Sequence, residues 1–311
     1  RLNIGELRNT GFEVTLESTN IQNKNFTWSS SFNIAFNKNK ILSLNYGQEQ
    51  MTSYISWDQK FRNQIAYVSR VGESAGKMYG FVYDGTYKEE DFNITVNENG
   101  KKTYELKPGV PKFKDGCQPG DPKYKNIDGS EDNLITDNDR TVIGNGHPLH
   151  TGGFTNNFVY KNWDLNIFLQ WSYGNDVFNV NRLVMENPGA KKQLNQFASY
   201  KNRWSESNPT SNIPRVRAVG ADEYSSLYVE DGSFLKLKTI SLGYNFDTKT
   251  LKRIGLSAAR VFVSAENIAT ITGYSGSDPE VSTRHSVLTP GFDWSAYPRA
   301  FNASLGVNVT F

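Results

Sequence analysis

The chain has 311 residues, enough for a large core, and its 34 Lys and Arg against 32 Asp and Glu leave a formal charge of +2. With charges so balanced and no run of about five like charges, nucleic acid is not an expected partner. No apolar stretch approaches the roughly 18 residues of a membrane-spanning helix, an exclusion that leaves untouched a barrel whose strands alternate in polarity.

The chain begins at Arg1, without initiator Met or signal peptide, on a patterned segment, and is expected to be a piece of something longer. From Thr10 to Thr19, Phe12, Val14 and Leu16 alternate with Glu13, Thr15 and Glu17, the period of a half-apolar strand. After the polar residues 20–24 a second strand places Phe26, Trp28, Ser30, Phe32, Ile34 and Phe36 against Thr27, Ser29, Ser31, Asn33 and Asn37. The two read as a hairpin.

The pattern returns past residue 152. Phe154, Asn156, Phe158 and Tyr160 oppose Thr155, Asn157 and Lys161; after a turn near Asn162, Trp163, Leu165, Ile167, Leu169, Trp171 and Tyr173 oppose Asp164, Asn166, Gln170 and Ser172. A third pair covers Ser233 to Phe246 and Ala259 to Asn267. Its first strand changes phase near Thr239, which predicts a bulge. The final strand, from Arg299, sets Phe301, Ala303, Leu305, Val307, Val309 and Phe311 against Asn302, Ser304, Gly306, Asn308 and Thr310.

Seven strands result, joined alternately by short connections (20–24, about 162, 247–258) and long ones (38–152, 174–232, 269–298). That layout is the one of an outer-membrane barrel, with short periplasmic turns and long outer loops. Charge agrees with it: the apolar registers carry none, and Glu13, Glu17, Lys161, Asp164, Arg260 and Glu266 are all assigned to the other face. Aromatics near strand ends, Trp28 with Phe36, Trp163 with Tyr173 and Phe301 with Phe311, suggest two interfacial girdles. A soluble sandwich would show the same alternation, with the apolar face as its core. Seven is also an odd number, and an open barrel edge is untenable in lipid, so further strands are expected upstream.

In the longest loop, Asp128 to Asp139 has the twelve-residue layout of a calcium loop. Asp128, Ser130, Asp132, the Leu134 carbonyl, Thr136 and Asp139 stand at the ligand positions, and Ile135 is placed to anchor the loop to a small core. Asn133 stands where Gly is usual, and Asp139 is shorter than the usual Glu. Calcium in a structural role is thus the candidate cofactor, and an acidic surface turn holding no ion is the alternative reading of the same residues. The lone Cys117 has no internal disulfide partner. His147, His150 and His285 form no metal spacing, and no nucleophile elbow or phosphate-binding glycine loop occurs, so no catalytic residue is assigned. Leu194, Phe197, Lys201 and Trp204 stand at helical spacing within 190–204, which predicts a short packed helix. Loop aromatics are the substrate-binding candidates, because sugar rings stack on aromatic faces: Tyr54, Trp57, Trp204 and Trp294, with Tyr87 and Tyr274 behind them.

Segments along the whole chain resemble the C-terminal part of the SusC/RagA family of TonB-dependent outer-membrane transporters. They are Asn3-Ile-Gly-Glu-Leu-Arg-Asn-Thr-Gly-Phe-Glu-Val, Asn25-Phe-Thr-Trp, Phe36-Asn-Lys-Asn-Lys-Ile, Val71-Gly-Glu-Ser and Tyr79-Gly-Phe-Val-Tyr-Asp-Gly. Pro119-Gly-Asp-Pro-Lys-Tyr, Asp139-Arg-Thr-Val-Ile-Gly, Tyr173-Gly-Asn-Asp-Val, Asp231-Gly-Ser-Phe-Leu-Lys-Leu-Lys, Ala265-Glu-Asn-Ile, Tyr297-Pro-Arg and Val309-Thr-Phe continue the series. The resemblance implies an all-β fold, the last seven or so strands of a plugged barrel of about 22. It also implies import of oligosaccharides or peptides under a SusD-like lipoprotein lid, driven through TonB by way of an N-terminal region outside this sequence. Phe311 would end the outer-membrane insertion signal. A soluble calcium-dependent glycan-binding domain and a passive porin are the alternative readings.

Overall fold

The computed structural model describes residues 5–187, 194–283 and 286–311. Asn3 and Ile4 of the first family-like segment, the start of the expected 190–204 helix and His285 lie outside the described residues. All seven expected strands are present: β1 (Gly5–Gln22), β2 (Phe26–Leu44), β3 (His150–Tyr160), β4 (Trp163–Tyr173), β5 (Phe234–Asn245), β6 (Ala258–Thr272) and β7 (Asn302–Thr310). They form a seven-stranded sheet in chain order. Every neighbouring pair is antiparallel, so all short connections lie at one end and all long ones at the other.

Register aligns the apolar residues into continuous rows. Phe12 faces Phe36 and Leu16 faces Phe32; Phe32 faces Phe154, and Trp28 faces Phe158. Further along, Leu165 faces Leu242, Leu242 faces Val263 and Val263 faces Leu305. Directly opposed residues share a face, so these rows form one apolar surface across the sheet. Glu13, Glu17, Asp164, Arg260 and Glu266 occupy the other face, as expected. Lys161 does not: it sits in the β3–β4 turn with φ of +52°.

The phase change in β5 is a bulge. Phe168 and Leu169 of β4 pair with Thr239 and Leu237, which leaves Lys238 as the extra residue. The same irregularity passes into β6, where Asn267 adopts φ of +53° and donates from Nδ2 to the Ala300 carbonyl. Asn tolerates this left-handed conformation, which gives the Ala265-Glu-Asn-Ile segment a backbone reason.

Two expectations change. β1 and β2 run several residues further toward the long-loop end than their alternation indicated, so the first long connection starts after Leu44 rather than at residue 38. In the second long connection the expected helix over 190–204 is, where described, only a 3-10 turn at Ala198–Asn202, and Leu194 and Phe197 are exposed. Pairs spaced for a helix need a packing surface, and among the described residues none buries these two side chains.

The long connections are folded. Residues 50–145 contribute a four-stranded sheet and two two-stranded ones, while segments of the second and third connections join in a three-stranded sheet. In that sheet Phe178 and Asn179 pair in parallel with Phe292 and Asp293. Phe61, Tyr67 and Met78 of the first connection, Phe178, Leu183 and Tyr224 of the second, and Phe292 of the third share one buried cluster. The core of the molecule therefore lies in a loop layer at one end of the sheet, not against the sheet's apolar face.

Candidate functional site: a membrane wall and its loop layer

The apolar rows are open to the surroundings. Phe12 is 64% exposed, Leu16 58%, Leu305 78% and Val307 64%. A soluble sandwich would bury these residues under a second layer. The described residues supply no such layer over the apolar rows, as a wall facing hydrocarbon requires. Aromatic rings band the surface at both ends. Toward the long loops, the Phe36, His150 and Tyr173 rings follow one another at 5.4 and 5.1 Å; toward the short turns, Trp163, Tyr244 and Phe246 do so at 4.9 and 5.2 Å. The eleven residues of β3, at about 3.4 Å each and a tilt of about 40°, separate the bands by roughly 25 Å, the height of an outer-membrane apolar belt.

Polar atoms on this face are matched to one another. Asn156 Oδ1 accepts from Trp28 Nε1 at 3.0 Å and from the Ser30 hydroxyl at 2.8 Å, and Asn20 donates to Ser30 at 2.7 Å. Hydrocarbon offers no substitute partner, so such groups persist only when paired.

The opposite face is polar and uses small residues to let long ones cross. Arg260 of β6 passes over Gly243 of β5 to make a two-pronged pair with Asp164 of β4. A Cβ at Gly243 would collide with that guanidinium. The Phe168 ring lies over Gly153 and the Phe262 ring over Gly306 in the same manner.

In the loop layer the candidate aromatics separate. Tyr54 is 52% exposed beside a crevice of about 430 Å³ that it lines with Ile55, Ser286 and Leu288. Trp57 and Trp294 are half-buried against the shared core, with rings 4.5 Å apart, and Trp57 Nε1 donates to the Tyr224 hydroxyl at 2.8 Å. Trp204 is half-buried over Gly120, a glycine with φ of +88°. Tyr87 and Tyr274 are fully packed: Tyr87 donates to the Pro111 carbonyl and Tyr274 to the Asp293 carboxylate. The structure thus leaves Tyr54 as the freely presented ring and brings Trp57 and Trp294 together.

Asp128, Ser130, Asp132, Leu134 and Asp139 do lie in one turn, with Asn133 in the left-handed conformation at φ of +53° and Ile135 packed beside Phe81 and Tyr124. The carboxylate oxygens of the three aspartates, however, accept from backbone N–H groups. Asp139, fully buried, accepts from the N–H groups of Ile127 at 2.7 Å and Asp128 at 3.2 Å through Oδ1, and of Thr136 at 2.7 Å through Oδ2. Asp128 and Asp132 accept from Ser130 and Leu134. Among the described residues no three His, Cys, Asp or Glu side chains converge as a metal site. In this arrangement the carboxylates of Asp128, Asp132 and Asp139 serve the loop's own backbone.

Sequence reading missed a charged crevice of about 460 Å³ between the second and third long connections. Arg182, at the start of a short helix capped by Asn179, pairs with Glu186 at 3.0 Å and Glu230 at 3.1 Å. Burial by itself would raise the Glu230 carboxyl, but the Ser275 N–H and hydroxyl, with Arg182, hold it below its ordinary value. No spacing announces this site, since its members come from separate segments.

No protein-family model matches the chain. Individual proteins do. TonB-dependent receptor P3 of Formosa agariphila is 34% identical over 314 residues, which cover 99% of this chain and 29% of that protein. TonB-dependent receptor SusC of Bacteroides thetaiotaomicron is 29% identical over 318 residues, 99% of this chain and 27% of that protein. In fold, the structure of the RagAB peptide transporter matches with a TM-score of 0.73 at 22% identity, over 99% of this chain and 30% of that one. The chain therefore spans less than a third of the length of these relatives. With an apolar face at membrane height, alternating connections and similarity along its whole length, the chain belongs to the SusC-like TonB-dependent receptors of the Gram-negative outer membrane, as a seven-stranded portion of their barrel.

Proposed function

We propose that the whole protein imports an oligomeric nutrient, an oligosaccharide or a peptide, through a plugged barrel powered by TonB. A SusD-like surface lipoprotein would close over the loop layer described here. What supports this reading is the pairing of a lipid-facing wall with a single folded layer built from all three long connections, together with the kinship to receptors of this class. In this reading the 311 residues carry no covalent chemistry. They form wall, outer vestibule and docking surface, with Tyr54 and the Trp57–Trp294 pair as the stacking surfaces for substrate.

The test uses the full-length protein in its own host. Affinity purification is expected to bring down a surface lipoprotein, and deletion is expected to abolish growth on one class of oligomer while sparing growth on its monomer. A deletion strain that grows normally on panels of glycans and peptides, with no lipoprotein recovered, would overturn the proposal. A gene lacking a plug-coding region would instead favour the passive porin.

A further inference from the structure

The lipid-facing row does not end at its outer aromatic band. On β1 the residues beyond Phe12 on the same face are Thr10 and Arg8; on β2 those beyond Phe36 are Lys38 and Lys40, and register sets Thr10 opposite Lys38 and Arg8 opposite Lys40. Two and four residues past the band correspond to about 5 and 10 Å along the membrane normal, at a rise of about 3.4 Å per residue and a tilt of about 40°. That is the depth of lipid headgroups. Arg8, Lys38 and Lys40 are exposed and make no ion pair among the described residues. The acidic group sharing their face is Glu6, further out on β1. Beside them β2 parts from its neighbour and opens a crevice of about 620 Å³ whose lining includes Phe12, Phe36, Lys38, Lys77, His147 and Leu149. Lys77 is already neutralised by Glu73 at 3.0 Å.

We propose that Arg8, Lys38 and Lys40 bind the phosphate of an outer-leaflet lipid headgroup, whose acyl chains lie over Phe12 and Phe36. Among the described residues these three cations, directly above an aromatic band, have no acidic partner within ion-pair distance. A phosphorylated lipid matches both halves of the surface: charge-assisted hydrogen bonds to phosphate from the cations and apolar contact below. Phe12, Phe36 and Lys38 of the crevice lining belong to the lipid-facing row, which puts part of the crevice within reach of a membrane lipid. The same placement explains why β1 and β2 outrun their apolar alternation, since the strands continue past the hydrocarbon edge and their side chains change to suit the headgroups. The inference rests on membrane embedding and is independent of what is transported.

The experiment takes the full-length protein in detergent and follows its thermal midpoint on titration with phosphorylated lipid A, the same lipid after phosphatase treatment, and inorganic phosphate. The phosphorylated lipid alone is expected to raise the midpoint. Apparent affinity should fall at least tenfold in Arg8→Gln/Lys38→Gln/Lys40→Gln and be unchanged in Lys24→Gln/Lys249→Gln/Lys252→Gln, which removes equal charge at the opposite end. Lys38→Gln alone, a change confined to an exposed side chain, should weaken binding several-fold and serves if the triple variant fails to fold. Equal response to the dephosphorylated lipid, full response in the Lys38→Gln and triple variants, or an equal shift with inorganic phosphate would each overturn the proposal.

Discussion

Lys236 Nζ lies 2.8 Å from Asp278 Oδ1, a contact between strand β5 and the third long connection that buries both charges. Glu280 joins at 3.0 Å, and its other oxygen takes Arg299 at 3.0 Å. The segments Asp231-Gly-Ser-Phe-Leu-Lys-Leu-Lys and Tyr297-Pro-Arg, far apart in sequence, thus meet on one pair of acids. Asp278→Asn removes the nearer counter-charge of a buried ammonium, and because Glu280 remains, the expected loss is about 1–3 kcal/mol rather than the full cost of an orphaned ion. Asp278 also accepts from the Glu280 and Arg299 amides at 2.9 and 3.2 Å. Hydrogen exchange at those two amides should therefore accelerate in the variant while the loop core around Phe292 stays protected.

Acid should affect two carboxylates of the loop layer in opposite senses. Burial would raise Asp278, but Lys236 and the two amides outweigh it and hold the carboxyl below its ordinary value. A depressed group contributes stability above its unfolded pKa, about 3.9, and loses it as pH falls through the lower folded value. Protection at Glu280 and Arg299 should therefore persist from pH 7 to 5 and fail only below about pH 4. Asp176 is raised, chiefly by burial, with the Asn145 N–H opposing and Asp231 adding to the rise. Its charged form burdens the folded state at neutral pH, and stability rises as pH drops through its folded value. Asp176→Asn keeps an acceptor for Asn145 and is expected to be neutral or to stabilise by up to about 1 kcal/mol at pH 7, with the difference from wild type vanishing near pH 4.

The wall was legible in the sequence because lipid imposes a strict period of two: from Phe12 to Leu16, or Trp163 to Tyr173, each alternate residue answers to hydrocarbon. Even the bulge at Lys238 showed as a break in phase. The loop layer was far less legible. Its core joins Phe61, Phe178 and Phe292 across more than two hundred residues, and no local period encodes such contacts. The rings of Tyr87 and Tyr274 looked like binding surfaces because exposure in a loop was assumed, whereas the loops fold around them. The Arg182–Glu230 pair left no trace for the same reason.

The hydrogen-bonded strip on the lipid face offers a sharper test than a general stability loss. Asn156 serves both Trp28 Nε1 and the Ser30 hydroxyl. Asn156→Ala leaves two donors without this acceptor in hydrocarbon and should cost about 1–3 kcal/mol, read as a lower thermal midpoint in detergent. Adding Trp28→Phe and Ser30→Ala removes the stranded donors and is expected to recover most of that loss. If the triple variant is no more stable than the single one, the strip has another role.

The 128–139 loop is closed by the Asp139 carboxylate acting on three N–H groups, so its integrity should not depend on calcium. Removing divalent ions with EGTA is expected to leave the thermal midpoint of the full-length protein unchanged. Asp139→Asn, which converts one accepting oxygen into a donor facing an N–H, should lower stability by about 1–3 kcal/mol with or without EGTA. A midpoint that drops on chelation and returns with calcium would instead establish an ion.

Adjacent residues of β7 separate the membrane reading from every soluble one. Leu305 lies in the row that continues Leu242 and Val263, while Ser304 points to the other face opposite Ser264. Both are exposed in the isolated sheet, so a soluble protein would accept Arg at either position with little difference. In a bilayer the two diverge. Leu305→Arg places a guanidinium in hydrocarbon, at a cost of about 2–4 kcal/mol near the midplane and less toward an interface, whereas Ser304→Arg projects into the aqueous lumen beside a polar wall. Expressed in the full-length receptor, Leu305→Arg should reduce the heat-modifiable, folded barrel recovered from outer membranes, and Ser304→Arg should leave it near wild type. Equal recovery of the two variants would mean that the apolar rows do not meet lipid.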